Sequence, residues 1–138
     1  MKVWLVNTNS KEENGNPNGF KFMLRQNKAS AYYDKKEVID KILPSDVVLL
    51  YHNSNRIIAV GCVIENVEYD FPEVHDVEHW VDVNWIWKAD FDPNFEPTNA
   101  IDRRDLNILM VNSTVVNVTD QVDYKILLTK IASKQTFL

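Results

Sequence analysis

Apolar residues along the chain fall into short runs that are typical of β-strands. The run 3–6 is apolar and ends in polar residues, which predicts a buried first strand followed by a loop. The runs 47–52 and 57–67 are separated by the turn 53–55, and this spacing predicts a β-hairpin. Gly61 inside the second run indicates a bulge or a close backbone approach.

Further strands are expected in the second half of the chain. Residues 81–87 alternate between apolar and polar positions, which predicts a strand with Trp85 and Trp87 on its core face. The preceding stretch 68–79 is acidic and contains proline, so we expect a surface loop there. Residues 102–107 fit a helical turn, and 108–118 supplies at least one more strand.

Two helices are predicted from capping residues and apolar spacing. Asp34 can cap a helix over 35–43, in which apolar residues recur at helical spacing. A closing helix over 121–132 carries an apolar stripe, and Thr119 or Asp120 can cap it. Several strands with two such helices predict an α+β fold, a small curved β-barrel of five to six strands flanked by two or more helices.

The stretch between the first strand and the first predicted helix has no such clear pattern. Residues 12–19 have the composition of turns, and Phe20, Phe22 and Leu24 then alternate with other residues at the two-residue period of a strand. Residues 27–33 follow without a clear period.

Length and composition predict one compact domain spanning 1–138. The chain has 138 residues, of which 45% are hydrophobic and 25% charged, with three glycines. These values are typical of a globular protein that buries a core. Cys62 is the single cysteine, and the N-terminal apolar run is too short for a signal peptide. We therefore expect a reducing, cytoplasmic location.

The charge is unevenly distributed along the chain. Its net value is −5, and residues 61–100 hold one lysine against ten acids. A protein that coats nucleic acid is normally basic, so any nucleic-acid contact is expected at a local pocket away from this segment.

Several segments together resemble the EVE domain family. Leu43–Ser54 resembles its Asp-containing entry to an apolar strand that ends in Tyr-His-Ser, and Ile57–Ile64 resembles its second, glycine-bearing strand. Further similarity lies in 67–72, 80–83 and 109–131. Residues 83–86 and the pair Arg104–Asp105 also resemble the related YTH domain. Both families belong to the PUA-like fold.

The resemblance implies a binding module for a modified nucleobase in DNA or RNA. Such domains hold a base that is single-stranded or flipped in an aromatic-lined pocket, and some accompany a partner nuclease or a modification enzyme. No cofactor is implied. Two departures from the family pattern are clear: residues 27–33 lack the expected Trp, and Ser45 replaces the glycine of a Gly-Asp pair.

A flipped base needs aromatic faces for stacking and polar groups for its edge. Aromatic residues near strand ends and polar residues after the first strand supply both. Lysines around the first predicted helix can approach phosphates. The candidate ligand-binding residues are Asn7, Thr8, Asn9, Tyr32, Tyr33, His52, Ser54 and Trp80, and the candidate phosphate contacts are Lys28, Lys35 and Lys36.

Other chemistries have weaker sequence support. His75 and His79 have the i, i+4 spacing of helical metal ligands, but the proline-rich setting favours an acidic loop, and no metal is expected. No nucleophile, phosphate-loop or dinucleotide motif is present. Two alternatives remain open: a hydrolase acting on modified nucleosides, like the related ASCH domains, and a protein-interaction module that uses the acidic segment 65–96.

Overall fold

One curled sheet organises the part of the chain that the structure describes. The computed structural model describes residues 1–8, 19–32, 36–52, 56–64, 68–69, 78–109, 111 and 113–134. Within these ranges the strands are β1 (Val3–Thr8), β2 (Lys28–Tyr32), β3 (Val47–His52), β4 (Arg56–Val63), β5 (Glu68–Tyr69), β6 (Glu78–Lys88), β7 (Ile101–Asp102) and β8 (Val115–Asn117). The α-helices are α1 (Phe20–Gln26), α2 (Lys36–Ile39) and α3 (Tyr124–Lys134).

The strand order shows how the sheet closes on itself. Neighbouring strands run β2-β6-β4-β3-β1-β8, with β5 beside β6 and β7 beside β4. In a flat sheet β1 and β2 would be roughly 19 Å apart, four strand spacings of about 4.8 Å. Cα atoms of the two strands instead approach within 8 Å. The sheet therefore curls into a half-barrel, and the predicted α+β architecture is confirmed.

The predicted hairpin forms the centre of this half-barrel. Every residue of β3 is buried, because neighbouring strands and packed side chains cover both of its faces. The strand β3 pairs with β4 antiparallel and with β1 parallel, placing Thr8 beside His52. The ladder between β4 and β6 shifts register between Val60 and Gly61, with Ile86 of β6 as the extra residue. Gly61 itself lies close to the backbone of β6, so the close approach that was one of its two predicted roles is confirmed.

The segment that resembled a strand is the helix α1. Its buried residues are Phe20 and Met23, at the three-residue spacing of one helical face, whereas Phe22 is exposed. Asn27 ends the helix in a left-handed conformation, and its backbone N–H donates to the carbonyl of Met23. The strand-like alternation of Phe20, Phe22 and Leu24 was therefore misleading.

The other helices lie close to their predicted positions with different limits. The helix α2 covers only Lys36–Ile39. The helix α3 is capped by Asp123, whose Oδ1 accepts from the amide of Lys125 at 2.8 Å. Thr119, one of the two predicted caps, instead accepts a hydrogen bond from the amide of Val3. A 3-10 turn over Arg103–Leu106 confirms the expected helical turn.

A buried carboxylate holds the beginning of β1 against the turn before β3. Asp46 is 4% exposed and accepts from the Trp4 indole and the Leu43 amide through Oδ2 and from the Lys2 amide through Oδ1, each at 3.0 Å. These contacts leave Trp4 in the core, as predicted, together with Trp87. No described helix has the length and hydrophobicity needed to cross a membrane.

Candidate functional site

The ladder between β2 and β6 separates a core face from an outer face. Ala29 and Ala31 of β2 share one face with His79 and Val81 of β6, and all four are buried in the core. The register pairs Lys28 with Asp82, Ser30 with Trp80 and Tyr32 with Glu78. Directly opposed residues of an antiparallel pair project to the same side. We call the side that bears the Lys28–Asp82 and Ser30–Trp80 pairs the outer face.

Trp80 is the aromatic group of the outer face. Its side chain is half-buried, and the Nζ of Lys28 lies 4.9 Å from the centroid of its ring. A cation–π contact near solvent contributes about 0.5–1 kcal/mol. Stacking of a base on an aromatic ring contributes roughly 1–3 kcal/mol, so a base can replace the ammonium on this ring.

Ser30 lies directly opposite Trp80 and was not singled out from the sequence. It is 0% exposed, and its hydroxyl has no hydrogen-bond partner within the described part of the chain. An unsatisfied buried hydroxyl costs about 1–3 kcal/mol. A serine hydroxyl can both donate and accept, so it suits the edge of a base. The aperiodic stretch 27–33 contained no signal that distinguished this serine.

Asn7 and Thr8 were expected in the loop that follows the first strand. They are instead the last two residues of β1. The Thr8 hydroxyl donates to the carbonyl of Tyr51 at 3.0 Å, and it is therefore used within the sheet. The amide of Asn7 donates to the carbonyl of Thr114 at 2.7 Å. Its side-chain Oδ1 is buried and has no partner among the described residues. Of these two residues, Asn7 keeps an acceptor for a ligand.

His52 ends β3 and is buried beside α1. Its ring meets that of Phe20 edge-on at 5.3 Å between centroids, and only 2% of the residue is exposed. Burial lowers the pKa of His52, although the charge of Glu96 opposes this effect. The neutral imidazole is therefore favoured, and it lies in the core at the end of β3.

The structure brings together part of the predicted set. Lys28 and Trp80 share the outer face, and Asn7, Thr8 and His52 lie where β1 and β3 end. Four candidate residues, Asn9, Tyr33, Lys35 and Ser54, lie outside the described residues. For Tyr32 and Lys36 the structure describes the backbone alone, which places Tyr32 at the end of β2 and Lys36 at the start of α2.

The possible histidine metal site has no support among the described residues. His79 lies on a strand and its ring points into the core, where Nδ1 is 2.5 Å from the Asp40 carboxylate. His75 lies outside the described residues. No cluster of three potential metal ligands occurs in the described ranges.

A deep pocket with a buried, hydrogen-bonded lysine or glutamate would favour the hydrolase alternative. The buried polar and charged residues among those described are Thr8, Ser30, Asp46, His52 and His79. An open pocket beside α1 contains three phenyl rings, from Phe20, Phe91 and Phe95, which sequence reasoning missed. No carboxylate lines it among the described residues.

Comparisons with known proteins place this architecture among solved structures. The YTH domain of the Zygosaccharomyces rouxii MRB1 protein in complex with N6-methyladenosine RNA is similar with a TM-score of 0.57 and 13% identity, covering 99% of this chain and 88% of that one. The YTH domain of Mmi1 in complex with RNA has a TM-score of 0.53 and 10% identity, covering 96% and 79%. A hypothetical protein from Leishmania major has a TM-score of 0.60 and 14% identity, covering 98% of each.

At these identities the structural likeness establishes the fold. The sequence of the chain also matches a family model described as Domain of unknown function (DUF8426) over residues 5–111. Curated protein sequences gave no match.

Proposed function

The chain belongs to the DUF8426 family, and from its YTH-like fold we propose that it is a nucleic-acid-binding module that captures a modified nucleobase. The EVE-like motifs around the hairpin of β3 and β4 support the same proposal. So do two fold neighbours, the YTH domains of MRB1 and Mmi1, which were solved in complex with RNA.

One observation carries the proposal: a buried serine hydroxyl without a partner among the described residues lies opposite a half-exposed indole. The indole supplies a stacking surface, and the hydroxyl supplies a hydrogen bond to the base edge. Lys28, which covers the indole, is expected to turn to the phosphate once a base stacks there. The remaining predicted ligand residues, Asn7 foremost, belong to the proposal as further contacts.

In the first test, the protein is titrated with plain and modified nucleosides and with short single-stranded oligonucleotides. Tryptophan fluorescence reports binding. Saturable quenching by one modified base and not by its plain counterpart is expected. In Trp80→Ala we expect about tenfold or greater loss of affinity, because stacking contributes roughly 1–3 kcal/mol. The control is Ile86→Ala, which truncates an exposed apolar residue of the same strand.

Ser30→Ala gives a sharper test because affinity and stability should change differently. The substitution removes a buried hydroxyl that has no partner among the described residues, so the free energy of unfolding should stay equal or rise. Affinity for the modified base should fall about fivefold, the loss of one hydrogen bond of about 1 kcal/mol. Unchanged affinity in both Ser30→Ala and Trp80→Ala would remove the outer face as the site.

A further inference from the structure

An open pocket of about 360 Å³ lies beside α1, away from the outer face. This volume falls within the range of small-molecule sites, about 300–1,000 Å³. Its walls come from α1, from the end of β6 and from the connection that follows β6. The lining residues are Phe20, Lys21, Leu24, Arg25, Lys88, Phe91 and Phe95.

Aromatic rings form a large part of this pocket. The rings of Phe20 and Phe91 are stacked, with centroids 5.1 Å apart and planes within 16° of parallel. Phe20 is fixed from behind by the edge of His52. Phe95 stands at the mouth and is 52% exposed. Flat apolar walls of this kind favour a planar ring as the ligand.

Among the described residues, the polar side chains that line the pocket are cationic. Lys21, Arg25 and Lys88 line it, and no acid does so among the described residues. Lys88 is the one basic residue of the segment 61–100, which carries ten acids. A positively charged pocket in a chain of net charge −5 indicates an anionic ligand, because a phosphate is bound there by both charge and hydrogen bonds.

The backbone presents Phe95 to the pocket in an unusual conformation. Its φ of 60° lies in the left-handed region, which bulky residues rarely adopt. Asp92 holds this turn: its carbonyl accepts from the Phe95 amide at 2.9 Å, and its Oδ1 accepts from the amides of Asn94 and Glu96. Strain of this kind is retained at binding sites when the surroundings enforce it.

Lys21 occupies the face of Phe95 where a ligand ring would stack. Its Nζ lies 3.6 Å from the ring centroid. A planar ligand would take this position and displace the ammonium from the ring. The cation–π contact therefore marks a surface that accepts a flat, electron-poor or cationic partner.

We propose that this pocket binds a nucleotide, with the base against Phe95 and the Phe20–Phe91 stack and the phosphate against Arg25 and Lys88. The site is separate from the outer face and does not depend on the function proposed there. The same chemistry has two possible sources, a free mononucleotide or one residue of a nucleic-acid strand, and the experiment distinguishes them.

The test is calorimetric titration of the protein at low salt with adenosine 5′-monophosphate, adenosine, inorganic phosphate and single-stranded oligoadenylate. Adenosine 5′-monophosphate is expected to bind at least fivefold more tightly than adenosine or phosphate. In the double variant Arg25→Gln, Lys88→Gln, the affinity for the monophosphate should fall about tenfold and the affinity for adenosine less than twofold. The matched control Lys125→Gln removes a distant exposed charge from α3.

A second variant tests the ring surface without disturbing the backbone. Phe95→Asn removes the ring but introduces a residue that tolerates positive φ, so the variant should fold. Its affinities for adenosine and for the monophosphate should both fall, by fivefold or more. Trp80→Ala should leave both affinities unchanged. If oligoadenylate binds no more tightly than the monophosphate, the ligand is a free nucleotide. If oligoadenylate binds more tightly and Phe95→Asn weakens that binding, the ligand is a nucleic-acid strand.

Three results would overturn the proposal. They are equal binding of inorganic phosphate and the monophosphate, affinities that the pocket variants leave unchanged, and loss of monophosphate binding in Trp80→Ala. The last result would move the nucleotide to the outer face while leaving the function proposed there intact.

Discussion

Ser45 has a backbone conformation that glycine adopts more readily than any other residue. Its φ is 76°, in the left-handed region, where a Cβ costs roughly 1–2 kcal/mol. The EVE-like pattern has glycine at this position, immediately before the aspartate. The glycine of that pattern therefore meets a requirement of the backbone at this turn and need not contact a ligand.

Replacing Ser45 with glycine should stabilise the protein. We expect Ser45→Gly to raise the free energy of unfolding by about 1 kcal/mol, since relief of the strained φ exceeds the entropy gained by the unfolded chain. Urea denaturation measures the change. Ser45→Ala is the control, because alanine keeps the Cβ and should give no gain; equal stabilisation by both would contradict the explanation.

At the scale of single elements, the close approach of β4 to β6 depends on Gly61, which lies beside a register shift where Ile86 is the extra residue of β6. A Cβ at this position would overlap Val83 Cγ1 and would lie 2.7 Å from the carbonyl oxygen of Asn84. The side chain can rotate, but the carbonyl belongs to the backbone of β6. The close approach of two strands therefore requires glycine here.

Gly61→Ala should destabilise the protein by about 2 kcal/mol, the usual range for overpacking in a core. Chemical denaturation of the variant measures this loss. The double variant Gly61→Ala, Val83→Ala should not recover it, because the Asn84 carbonyl still blocks the new methyl group. Full recovery would mean that the valine alone limits the space.

The hairpin and α1 show why some elements were predictable and others were not. The residues of β3 and β4 lie in two apolar runs around a short turn, and this local pattern determines their pairing. In α1 the exposed Phe22 hides the helical spacing of Phe20 and Met23. The Phe22 ring lies at the surface, where the guanidinium of Arg25 on the same helix lies 5.3 Å from its centroid, and this position gave the helix the apparent period of a strand.

The candidate sites depended on contacts between distant segments. Trp80 was predicted from its place at a strand opening, and Lys28 from its charge, but Ser30 became evident only from the register between β2 and β6. Phe91 and Phe95 lie in a proline-containing connection without periodicity. Their stacking and turn geometry arise from packing that no local pattern encodes.

For the whole molecule, stability should decrease in two separate acid ranges. Burial lowers the pKa of His52 below its usual value of about 6.5, so the unfolded chain binds more protons there. The free energy of unfolding should decrease as pH falls from about 7 toward the folded pKa. The substitution His52→Gln should flatten this decrease, as followed by urea denaturation across pH.

The second range belongs to Asp46. Burial alone would raise the pKa of Asp46, but hydrogen bonds from the amides of Leu43 and Lys2 and from the Trp4 indole hold it below its usual value. Its contribution is present above the unfolded pKa of about 4 and is lost as pH falls below that value. Asp46→Asn should lose stability at neutral pH and show less change below pH 4. A profile identical to that of the wild type would contradict this role.

The net negative charge of the molecule determines how strongly its affinity for nucleic acid depends on salt. With a net charge of −5 and few cations at each site, we expect contacts to about one to three phosphates. The logarithm of the affinity for a single strand should then fall with the logarithm of salt with a slope of about −0.7 to −2. A slope near −5 would require a basic surface that the described residues do not form.

The strand β6 carries both proposed sites, Trp80 near its start and Lys88 at its end. Eight residues at about 3.3 Å each place the two backbones at most about 26 Å apart. A ligand that occupies both sites gains from the high effective concentration of its second half, and this gain has an optimum linker length. Affinity should therefore rise abruptly once an oligonucleotide is long enough to span β6, and the added length beyond that point should contribute little.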